Sequence, residues 1–192
     1  MRALFVLLLC AAPAWAQPRN APPPRPEPVP LMDVAITYRA TLEDRADAPT
    51  GETRMAYHVA SASWRIEPAQ PGIHFLVDRR ANRAVMVMDR RRAFLVMTEG
   101  GTLMQDIEAA FAAGTVERGG QLRILNTPCT VWRLRDAGSV CLSVRGVMLR
   151  RDSPAGGWME ATQLDLSSQE GERFRPAQGF RAITIEQMLA PQ

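Results

Sequence analysis

The chain has 192 residues with 23 basic and 20 acidic side chains, a formal charge of +3. That length suits one domain with a real core, and so small a charge argues against a nucleic-acid partner. Every basic residue is arginine; the bias covers the whole chain and reads as a compositional habit rather than an anion site.

Residues 1–16, MRALFVLLLCAAPAWA, run from a positive Arg2 through an apolar stretch to Ala14 and Ala16. This is the layout of a secretory leader, with cleavage expected after Ala16. Cys10 does not fit a lipid-anchor cysteine, because Leu9 stands where a small residue is wanted. The apolar run is too short to cross a bilayer, and no later segment is long enough, so the chain is not expected to be transmembrane. The expected location is periplasmic, or secreted. Residues 17–30, QPRNAPPPRPEPVP, hold seven prolines and read as a semi-rigid linker, a spacer or a docking segment. The folded domain is expected from 31 to 192.

Strands dominate from there. Residues 33–43 alternate, with Val34, Ile36, Tyr38, Ala40 and Leu42 on one face. Residues 53–60 place Met55, Tyr57 and Val59 together, and 63–67 form a short strand carrying Trp64 and Ile66. Next come three strands, GIHFLVD, RAVMVMD and RAFLVM, joined by turns rich in arginine. If Asp78 lies opposite Arg83, and Asp89 opposite Arg92, parity sorts the side chains. Ile73, Phe75, Val77, Ala84, Met86, Met88, Ala93, Leu95 and Met97 then share one wholly apolar face. The other face is mixed, with its charges at the turns, where carboxylate and arginine match across the strands.

One helix is expected, at about 102–113. Thr102 and Gln105 make a capping box, Leu103, Ile107, Ala110 and Phe111 an apolar stripe, and Gly114 a stop. Strands follow at 120–126, 129–136, 139–144 and 147–151. A longer one at 158–168 alternates Met159, Ala161, Gln163 and Asp165 against Trp158, Glu160, Thr162, Leu164 and Leu166. The fold class is therefore mainly β: a curved antiparallel sheet with one covering helix.

Cys129 and Cys141 remain after the leader is removed, and an even pair in an oxidising compartment reads as a disulfide. Facing cysteines would centre the hairpin on Arg135, two residues from the turn signal Asp136-Ala137-Gly138, and so demand a wide or bulged loop. The bridge would then lie on the more polar side of the hairpin. Closing the loop stabilises by about 3 kcal/mol in the chain-entropy account.

No catalytic signature appears: there is no G-x-S-x-G elbow and no H-E-x-x-H helix, and the two histidines, His58 and His74, both sit in strands. The chain is not expected to be an enzyme. No histidine lies near the cysteines and the methionines are scattered, so no metal site and no cofactor is expected. The apolar face has two readings that stay open. It is a dry core under the helix, or a ligand surface made adaptable by methionine.

The closing stretch FRPAQGFR (174–181), after the long strand ATQLDLSS, resembles the periplasmic lipoprotein-carrier superfamily (LolA/LolB-like). So does CTVWRLRDAGSVCLSVRGVMLR, which is similar to a cysteine-containing hairpin in uncharacterised relatives. The resemblance covers about 33–185. It implies a half-open β-barrel whose concave face holds acyl chains, and hence a lipid or lipoprotein partner, with other envelope proteins as the alternative. The candidate binding residues are Tyr38, Phe75, Met86, Met88, Leu95, Met97, Phe111 and Trp132. The carriers open with an amphipathic helix; here the proline-rich segment takes that place.

Overall fold

The structure, a computed structural model, describes residues 27–97 and 103–189. The expected leader, most of the proline-rich segment and the Thr102 cap lie outside these residues.

Twelve strands form one sheet. They are β1 (Val34–Thr41), β2 (Thr50–His58), β3 (Ser63–Glu67), β4 (Ile73–Asp78), β5 (Arg83–Met88), β6 (Ala93–Met97), β7 (Val116–Ile124), β8 (Thr127–Leu134), β9 (Gly138–Ser143), β10 (Met148–Asp152), β11 (Trp158–Asp165) and β12 (Arg181–Ile183). Their order across the sheet is β12-β6-β5-β4-β3-β2-β1-β11-β10-β9-β8-β7, so the sheet is curved but not closed. All neighbours are antiparallel except β12, which joins β6 in parallel. Helix α1 (Leu103–Ala112) packs on the inner face, and a short α2 (Ile185–Leu189) ends the described chain.

The registers expected for β4, β5 and β6 are present. Asp78 pairs with Arg83, and Met88 with Ala93 around a 3-10 turn at Asp89–Arg91. Arg92 takes a left-handed conformation at that turn (φ 46°), and its N–H donates to the Asp89 carbonyl at 3.0 Å. Helix α1 stops where Gly114 turns to φ 69°, as its freedom at positive φ allows.

Four expectations need correction. Residues 29 and 30 are not linker: Val29 is buried at 7% exposure, and the Leu31 N–H donates to the Arg145 carbonyl at 3.1 Å. The β8–β9 hairpin centres on Asp136, not Arg135, since Leu134 pairs with Gly138 and Val131 with Cys141. The turn residues decide this, because Asp136 (φ 62°) and Gly138 (φ 84°) both sit in the left-handed region, so no wide loop is needed. The Cys129–Cys141 bridge is present, with a Cα–Cα distance of 5.4 Å, but it runs diagonally and is buried, at 3% and 2% exposure. A slip of two residues preserves side-chain parity, which is why the faces of this hairpin stay as expected.

The fourth correction concerns β11. Tyr38 pairs with Ala161 but Thr37 with Gln163, so Thr162 is an extra residue in the ladder. This bulge turns Leu164 onto the core side with Ala161. The Thr162 hydroxyl donates to the Thr37 carbonyl at 3.2 Å.

Candidate functional site

Reading directly across the strands shows how the inner face is built. One row runs Val34–Tyr57–Trp64–Val77–Ala84–Met97 from β1 to β6. All but Met97 are buried. Helix α1 closes over this end: Met104 and Ile107 are 1% and 0% exposed in the same cluster. Two polar contacts fix the helix to the β4–β5 turn. Arg79 makes a double contact with Glu108 at 3.0 and 2.6 Å, and Gln105 Nε2 donates to Asn82 Oδ1 at 2.9 Å.

The next row is different. Leu164–Ile36–Met55–Ile66–Phe75–Met86–Leu95–Ile183 crosses from β11 to β12 without a polar residue. Ile36 and Met55 are buried, at 2% each, but Ile66, Phe75, Met86, Leu95 and Ile183 are only half-buried. Burial of this kind leaves apolar area in contact with water that a ligand can remove, at about 25 cal/mol per Å².

The eight candidate residues therefore divide. Phe75, Met86 and Leu95 stand side by side in the half-buried row. Met97 and Phe111 are also half-buried, at the α1 end. Tyr38, Met88 and Trp132 are buried, at 0%, 8% and 4% exposure. Tyr38 is held further by its hydroxyl, which donates to the Met148 carbonyl at 2.7 Å. Trp132 meets Phe111 edge-on, with centroids 5.4 Å apart.

Pattern reading missed Arg151. Its strand partners are Val140 and Met159, both packed in or against the main core, so its side chain starts from the inner face. The Nε is buried with no hydrogen-bond partner. Burial lowers its hold on the proton, opposed by Asp106 of α1 and Asp44. The alternation of 147–151 carried the signal, because it sets Arg151 on a buried face.

The outer face holds a second cluster, of Leu76, Val85 and Val87 with Phe94 and Phe180. The segment from Gln169 to Phe180 covers it. Asp33 anchors its start, accepting N–H groups from Gln169 and Val59 at 2.8 Å each. Arg65 reaches its middle, donating to the Arg173 carbonyl at 3.0 Å and to His74 Nε2 at 3.1 Å. His74 in turn lies 3.4 Å from Asp89. Burial pushes the His74 imidazole below its usual pKa and the Arg65 guanidinium adds to this, against the opposing pull of Asp89 and Glu67. Among the described residues there is no cluster of three or more potential metal ligands.

No family model matches the chain, and no curated protein matches it. Solved structures do. An uncharacterised conserved protein from Thermus thermophilus is similar at 8% identity and a TM-score of 0.54, over 80% of this chain and 90% of that one. The Pseudomonas aeruginosa MucA/MucB complex gives 14% identity and a TM-score of 0.43, over 79% of this chain and 58% of the other. A domain described as an outer membrane lipoprotein-sorting protein from Vibrio parahaemolyticus gives 9% identity and a TM-score of 0.40, over 74% and 89%. The Thermus likeness is one of fold alone: a curved, mainly antiparallel sheet that does not close.

Proposed function

We propose that this is an exported envelope protein whose half-barrel binds an acyl chain, of a lipid or of a lipoprotein, along its inner apolar face. The reading rests on the half-buried row Ile66–Phe75–Met86–Leu95–Ile183. An unbroken apolar strip five strands wide, beside a region already filled by α1, has the shape and chemistry for a chain rather than a compact polar ligand. Its task is binding, not catalysis. The buried disulfide suits an oxidising compartment such as the periplasm.

Titration with a fluorescent fatty acid, alongside native mass spectrometry of the purified protein, tests the reading. Saturable uptake or co-purified lipid is expected, and Met86→Glu, which sets a charge in the strip, is expected to weaken uptake at least tenfold. The absence of both uptake and bound lipid would remove the proposal.

A second reading, an interaction domain with a filled core, is favoured by the burial of Tyr38, Met88 and Trp132. Its docking element would be the proline-rich segment before Val29. A pull-down comparing the chain with and without residues 17–26 checks it: equal recovery of partners speaks against that segment.

A further inference from the structure

The outer face carries a cleft of its own, of about 410 Å³. It lies against the side of the covering segment, within the range of roughly 300–1,000 Å³ usual for small-molecule sites. Its floor is apolar: Leu76, Val85, Phe174 and Pro176. Its wall is a polar row in register across four strands, His58–Ser63–Asp78–Arg83. His58 is fixed there. Its ring stacks on Phe174, with centroids 5.4 Å apart, and its Nδ1 lies 2.8 Å from the Ser61 hydroxyl.

Two cations stand on this cleft, Arg83 from β5 and Arg175 from the covering segment. Both are exposed, and among the described residues neither makes a salt bridge, although Asp78 is the direct cross-strand neighbour of Arg83. Asp78 is the one acidic residue lining the cleft. It is engaged in its own turn, accepting the Ala81 N–H at 2.9 Å. Other arginines around the segment are already committed, Arg65 to Glu67 at 2.6 Å and Arg173 to Gln169 at 2.8 Å. Unpaired guanidiniums beside an apolar floor match a carboxylate that carries an apolar body, since the fork geometry of arginine suits that group.

We infer that the cleft lined by Leu76, Val85, Phe174, Arg83 and Arg175 binds small carboxylates with an apolar body. The site is distinct from the inner face and does not depend on it. The body lies on Val85, Leu76 and Phe174, and the carboxylate meets the two guanidiniums.

The test is a titration followed in amide-resolved NMR spectra of the mature chain. Hexanoate and 4-phenylbutyrate are the probes, each paired with its uncharged amide, and acetate is the anion without a body. Saturable shifts at Ser61, Ser63, Leu76, Val85 and Phe174 are expected with the two acids. The amides and acetate are expected to bind at least tenfold more weakly. The double variant Arg83→Gln/Arg175→Gln should lose at least tenfold in affinity while its amide spectrum away from the cleft stays that of the wild type. Whichever acid binds tighter shows whether the floor prefers an alkyl or an aryl body. The inference is overturned if amides bind as well as acids, if the double variant binds unchanged, or if nothing saturates in the cleft. Shifts confined to Phe75, Met86 and Leu95 would also overturn it while supporting the inner-face reading, so the two proposals fail separately.

Discussion

At the scale of single residues, hydrogen bonds and charges inside the sheet set the sharpest expectations. The Tyr38 hydroxyl serves the Met148 carbonyl in a fully buried place. Tyr38→Phe leaves that acceptor without its donor and is expected to cost about 1–3 kcal/mol in urea denaturation. Arg151 presents the opposite case: its Nε is buried without a partner. Arg151→Met keeps the stem and removes the unsatisfied group, so unchanged or raised stability is expected from the same measurement. His74 gives a pH signature. Its folded pKa lies below the ordinary 6.5, so as pH falls the unfolded chain takes up the proton first. Its contribution to stability is complete above the unfolded value and is lost as pH falls from there toward the folded value. Arg65, Glu67 and Asp89 are the charged groups that face the ring. The thermal midpoint should therefore drop more between pH 7.5 and 5 in the wild type than in His74→Gln; parallel profiles would show that the ring is not the source.

At the scale of elements, turns decided what alternation could not. Parity alone placed the β4, β5 and β6 side chains correctly, because a period of two survives any even slip. The same tolerance hid the two-residue slip at Cys129 and Cys141. Requiring the cysteines to face each other moved the centre to Arg135, although Asp136 and Gly138 already marked it. Gly138 shows how firm that turn is. It sits at φ 84°, and a Cβ there would strike the Asp152 carbonyl. Gly138→Ala is expected to destabilise by more than about 1 kcal/mol, read from a denaturant midpoint. Replacing both cysteines by alanine should cost about 3 kcal/mol in the same assay. The bulge at Thr162 and the parallel strand β12 were not legible, since both depend on which strand lies alongside, which no local pattern encodes.

At the scale of the molecule, two faces of one sheet are finished in different ways. On the inner face α1 fills one end and leaves an apolar row half-buried beyond it. On the outer face the segment 169–180, which includes the closing Phe-x-Pro-x-x-Gly-Phe, packs Phe180 against the cluster of Leu76, Val85 and Val87 and leaves a cleft beside it. The apolar inner face was legible in the sequence; how far α1 covers it was not, because coverage depends on where a helix lands. Nor was the outer cleft legible, since it needs His58, Asp78, Arg83 and Arg175 brought together from separate segments.

The central claim is that the row through Phe75, Met86 and Leu95 receives an acyl chain. Photo-crosslinking the protein with a diazirine-bearing fatty acid, followed by peptide mapping, tests it most directly. Labels on the strands carrying those three residues, competed away by unlabelled fatty acid, are the predicted result. Labels only elsewhere, or no competed labelling, would contradict it.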